Sequence, residues 1–168
     1  MNTRLTTTAA AAAALAMGTL GLGTAVTAQD MHAGMHGDPK LEKMDDADGN
    51  GRKLGTTLSG AAEVPGPGDP DGTGEFVARI NPGQGQLCYE LDVDDVDDIT
   101  GAHIHLGGRD EAGPVVVALE TPDDDDSQGC LAVDREVAMA MIKNPEGYYV
   151  NVHNTEYPAG AVRGQLTK

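Results

Sequence analysis

Gln86-Leu87-Cys88-Tyr89-Glu90-Leu91-Asp92-Val93 is the stretch that decides the fold. In an extended chain Leu87, Tyr89, Leu91 and Val93 share one side, while Gln86, Cys88, Glu90 and Asp92 share the other. That period of two is what a half-buried β-strand requires, because successive side chains point to opposite faces. Outward from it, strand-like runs at 53–59, 73–80, 100–106, 114–119, 128–133, 147–153 and 161–167 alternate with turns rich in Gly, Pro and Asp. Eight short strands at this spacing predict an all-β protein of the sandwich kind. With no Trp and a single Phe, its core must be built from Val, Leu, Ile, Ala and Tyr.

One segment breaks the pattern and predicts a short helix. Asp134 is a good N-cap before Arg135-Glu136-Val137, and Asn144-Pro145 ends the run. Val137, Met141 and Ile142, with Ala138 beside them, form its expected buried stripe, placed over an open end or edge of the sheet.

Residues 1–28 read as a signal peptide. Arg4 supplies the positive start, Ala9 to Leu22 the apolar stretch, and Val26-Thr27-Ala28 the small residues before a cut ahead of Gln29. The apolar stretch is short and interrupted by Gly18 and Gly21, so no lasting membrane insertion is expected after cleavage. Residues 29–51 read as a disordered acidic lead-in carrying Met31-His32 and Met35-His36, a thioether–imidazole pairing that suits copper. Asp46-Ala47-Asp48-Gly49-Asn50-Gly51 copies half of a calcium loop, but the twelfth position is Thr57 where such a loop needs Glu. The remaining residues, 52–168, form one domain.

The formal charge of the whole chain is −16, and none of the 27 acidic residues precedes the cut. A chain so acidic is repelled by the phosphates of nucleic acids and anionic membranes. The runs Asp92 to Asp98 and Asp123 to Asp126 read as solvated loops. An exported chain with two cysteines, Cys88 and Cys130, predicts one disulfide, with two separate buried thiols as the alternative. Nucleophile elbow, H-E-x-x-H and phosphate-cradling glycine loop are all missing from the sequence, which leans away from an enzyme.

Histidines supply the candidate site. His103 and His105 alternate with Ala102, Ile104 and Leu106, so both rings leave the same face of their strand, about 7 Å apart. By the same alternation Tyr149, Asn151 and His153 face away from Val150 and Val152, and Arg163 and Gln165 away from Val162 and Leu166. If these strands are neighbours, His103, His105, Asn151, His153 and Arg163 converge on one polar patch. Three imidazoles suit Cu or Zn. The competing reading gives the histidines cross-strand hydrogen bonds and a structural task. An Arg between small residues on a strand often forks onto a carboxylate, for which Glu63 and Glu156 are candidates.

Four ordered blocks also resemble the CHRD domain, named after chordin: LSGAAEVPGPGDPDGTGEF at 58–76, AHIHLGG at 102–108, GPVVVALE at 113–120 and YYVNVHNTEYPAGAVRGQL at 148–166. The resemblance implies an immunoglobulin-like antiparallel β-sandwich of Greek-key type, in an extracellular setting. It further implies a noncatalytic module that recognises an extracellular or envelope partner, with the patch of His103, His105, His153, Asn151 and Arg163 as its working surface. A three-histidine Cu/Zn protein outside the cytoplasmic membrane is the alternative.

Overall fold

A computed structural model describes residues 51–123 and 125–168. The signal peptide, the Met/His lead-in and most of the calcium-like hexapeptide lie outside the described residues. All eight expected strands are present: β1 (Arg52–Ser59), β2 (Thr73–Asn81), β3 (Gln86–Asp94), β4 (Ile99–Leu106), β5 (Val115–Ala118), β6 (Asp126–Ala132), β7 (Tyr148–Asn154) and β8 (Val162–Gln165). The expected helix, α1 (Arg135–Lys143), lies between β6 and β7. Asp134 caps it as expected, its carboxylate accepting from the Glu136 and Val137 amides. Ala138 and Met141 are its fully buried residues, with Val137 and Ile142 packed beside them at the core's margin.

The alternation in β3 decides the packing as its sequence requires. Leu87, Tyr89, Leu91 and Val93 are all buried, while Glu90 is half-buried and Asp92 and Asp94 are exposed. They meet Phe76, Ala78 and Ile80 of β2 and Leu54 of β1, and the same cluster takes in Ala102, Ile104, Val150, Val152 and Val162 from β4, β7 and β8. Each such side chain contributes about 1.5–3 kcal/mol by leaving water.

The eight strands share one hydrogen-bonded order, β5-β4-β7-β8-β1-β2-β3-β6, antiparallel at every pairing. The sheet curls so that one of its faces encloses a single core. The join between its halves is thin. β1 and β8 share one register pair, Ser59 with Arg163, plus a bridge from Gly55 to Thr167. β8 comes so close to β1 there that a Cβ on Gly164 would collide with the Thr57 carbonyl.

Cys88 and Cys130 are bonded and sit opposite each other in the β3–β6 ladder, which ties an edge strand to the sheet's interior. This bond fits an oxidising compartment. The chain turns over 69–72, where the Asp69 carboxylate accepts from the Asp71 and Gly72 amides, and the expected turn's last two residues, Thr73 and Gly74, already belong to β2. Asp95, Asp97 and Asp98 are exposed and line an open cleft with Asp69, Asp71 and Glu156. No described helix is long and apolar enough to cross a membrane.

Candidate functional site

Strand order brings the histidines together. β4 pairs with β7 and β7 with β8, in a register that sets Gly101 against His153, His103 against Asn151, His105 against Tyr149, and Asn151 against Arg163. With alternation added, every one of these polar side chains leaves the face turned away from the core. The ring centroids of His103 lie 5.7 Å from His105 and 5.1 Å from His153, and those of His105 and His153 are 6.3 Å apart. One nitrogen from each of the three falls within 4.8 Å of the others. His105 is buried, whereas His103 and His153 are half-buried.

Two backbone carbonyls fix the tautomers. His105 Nδ1 lies 2.8 Å from the Gly113 carbonyl oxygen, and His153 Nδ1 lies 3.2 Å from that of Pro158. A carbonyl can only accept, so each Nδ1 carries the proton and each Nε2 keeps its lone pair. His105 Nε2 is buried without a hydrogen-bond partner, and so is His103 Nδ1. Burial, and next the neighbouring His105, hold His103 below the ordinary imidazole value. His153 is lowered chiefly by burial and then by His103, with the Pro158 carbonyl pulling the other way. His103 and His153 are thus biased toward the neutral form, and His105 and His153 have anchored outer nitrogens, which is what a metal ion requires of its histidine ligands. The residues present fit Cu or Zn.

The 107–114 loop is held over this face by side chains from β7 and β8. Arg163 Nη2 donates to the carbonyls of Gly108 at 2.7 Å, Glu111 at 3.0 Å and Arg109 at 3.3 Å. Gln165 Nε2 donates to the Gly107 carbonyl at 2.8 Å, and the Gly113 amide donates to the Tyr149 hydroxyl at 3.1 Å. The Tyr149 ring stacks on His105, 4.8 Å between centroids at an angle of 8°, and the Arg163 guanidinium carbon lies 3.5 Å from its centroid. A continuous stack therefore runs Arg163–Tyr149–His105, ending on a ring of the cluster.

Asn151 and Arg163, expected on an open patch, are each only 2% exposed. Arg163 takes backbone carbonyls where a carboxylate fork was expected. Glu156 is exposed and lines the acidic cleft, whereas Glu63 lies near enough for the guanidinium to act on it. Sequence reasoning placed Tyr149 on this face without giving it a role and named Glu63 without its burial, and it missed the Gly113 and Pro158 carbonyls. Tyr149 was legible from its phase in β7. The carbonyls leave no trace in side-chain identity.

Glu63 is 7% exposed, and its Oε1 has no partner. Gly160, at φ +150°, packs directly on the carboxyl, where a Cβ would collide with it. Burial pushes the Glu63 carboxyl from 4.5 up to about 7, opposed mainly by Arg163. Between those values the folded chain keeps a proton that the unfolded chain releases, so stability falls as pH rises from 4.5 to 7 and stays reduced above. The shift corresponds to about 3 kcal/mol. Urea denaturation of the native chain should show a loss of that order between pH 5 and pH 8, absent in Glu63→Gln. A parallel pH dependence in both chains would contradict the assignment.

No curated protein and no solved structure matches the chain. A family model described as the CHRD domain matches residues 54–166, from β1 through the end of β8 and across every element that builds the histidine cluster. The chain belongs to the CHRD domain family.

Proposed function

We propose that this chain is an exported, noncatalytic binding module whose ligand is one Cu or Zn ion held by His103, His105 and His153. The observation that carries this reading is the convergence of three imidazoles with two outer nitrogens bonded to carbonyls and two inner nitrogens buried without partners. Purely structural histidines would spend their inner nitrogens on hydrogen bonds, because a buried polar atom left unmade costs about 1–3 kcal/mol. Membership in the CHRD family supports a binding module, and the disulfide supports export. In the same reading the curled sheet is a sandwich of two four-stranded layers, joined at the thin β8–β1 seam.

Calorimetric titration of the purified chain with Zn(II), and with copper, should show one site. The site should be lost in the H103A/H105A/H153A variant while its unfolding transition remains cooperative. Saturating metal should raise the native midpoint, since a ligand that binds only the folded state stabilises it by RT ln(1 + [L]/Kd). An unchanged titration in the variant would refute the site.

A second reading is favoured by Leu106 and Val115, which are 46% and 50% exposed on β4 and β5 beside the cluster. An extracellular or envelope protein docking on that apolar edge would make the histidines part of a recognition surface. Alanine at the three histidines would then weaken the partner and leave metal content unchanged.

A further inference from the structure

The character of the ion follows from what surrounds the three nitrogens, and this step rests on the metal-centre reading above. The ligand set is three neutral imidazoles, with no Cys, Asp or Glu joining the cluster among the described residues. The outer partners of His105 and His153 are neutral too, being the carbonyls of Gly113 and Pro158. Metal-binding histidines often lean on a carboxylate, which supplies negative charge through the ring. Here no carboxylate takes that place on His105 or His153.

The nearest buried charge is positive. Arg163 is 2% exposed and stands one ring behind His105, across Tyr149. Asp110 and Glu111 of the overlying loop are exposed, where water and salt screen them, and Glu111 Oε2 is engaged by the Gly108 amide. Glu63, the buried acid beside Arg163, is pushed up to about 7 by burial, so it offsets the guanidinium only weakly below that pH.

We propose that the His103–His105–His153 site selects monovalent copper over zinc(II) and copper(II). Each added unit of positive charge on the ion meets this buried guanidinium, whose acidic neighbours are Glu63 and the exposed Asp110. At roughly 10 Å and an effective dielectric of about 20, that repulsion is on the order of tenfold in affinity. Coordination number favours the same ion. Zinc(II) completes a tetrahedron and here would have to take water as its fourth ligand, and copper(II) wants four or more in a tetragonal array. Copper(I), a d10 ion of low charge, is satisfied by three nitrogens.

The test is chelator competition on the full exported chain, with Cu(I) under anaerobic reducing conditions and with Zn(II) separately, followed by X-ray absorption of the copper form. H103A/H105A/H153A, which keeps Met31, His32, Met35 and His36, serves as the control for the lead-in. Cu(I) is expected to bind about tenfold or more tighter than Zn(II), with three nitrogen scatterers and no sulfur, and the control should lose that binding. Zinc held equally tightly by the same histidines would overturn the selectivity and leave the metal centre standing, as would a copper(II) spectrum persisting in ascorbate. A sulfur shell, or full Cu(I) binding in the control, would overturn it by assigning copper to the lead-in. Binding of neither ion would end both this inference and the metal-centre reading.

Discussion

Arg163→Ala should lower the unfolding free energy by about 3–5 kcal/mol, the cost of emptying a buried charged position. Three loop carbonyls accept from a single nitrogen of this guanidinium, and its plane covers Tyr149. Losing it frees the 107–114 loop, and the consequence reaches the histidines. That loop carries the Gly113 carbonyl, which holds His105 Nδ1–H and so keeps Nε2 as the available lone pair. Metal affinity should therefore fall by about 10–100-fold, as when other outer partners of ligating histidines are removed. Arg163→Lys keeps the charge but cannot span several carbonyls from one planar group, so it should recover only part of either loss. Denaturant titration and metal competition on both variants would measure this. Full metal affinity in Arg163→Ala would show that the loop does not position His105.

The disulfide carries an effect of similar size. Cys88 and Cys130 are 42 residues apart in sequence and opposite in register, and their bond ties edge strand β6 to β3. On the chain-entropy model, closing a loop of that length contributes about 4 kcal/mol by restricting the unfolded chain. C88A/C130A should lose about that much in urea denaturation, with amide exchange rising first along 126–132, where the lost bond leaves only the ladder with β3. The histidine cluster is built from β4 and β7, on the other side of the sheet order. Metal binding by the folded double variant should therefore be unchanged. A loss below about 1 kcal/mol would mean that the unfolded chain is already compact around this pair.

Much of this was legible before any coordinates. Period-two alternation places side chains on faces without knowing the fold, so β3, the histidines' shared face and the phase of Tyr149 and Arg163 could all be read. The helix cap at Asp134 is a local signal and it held. What the alternation cannot say is what lies above a face. It sent Asn151 and Arg163 outward, but both are buried, Arg163 beneath the 107–114 loop that its guanidinium holds. The same blindness hid Glu63, whose burial depends on Gly160 packing across it from a segment almost 100 residues later. The single curled sheet escaped for another reason. Strand patterns specify faces, whereas the continuity of the order rests on one register pair between β1 and β8.

The central claim is that three imidazoles, two of them with anchored outer nitrogens, hold an ion in this protein. Elemental mass spectrometry on that protein, purified without a tag and dialysed, tests it most directly, alongside H103A/H105A/H153A. About one copper or zinc per native chain, absent from the variant, is the expected result. Metal-free protein that takes up neither ion on equilibration would contradict it.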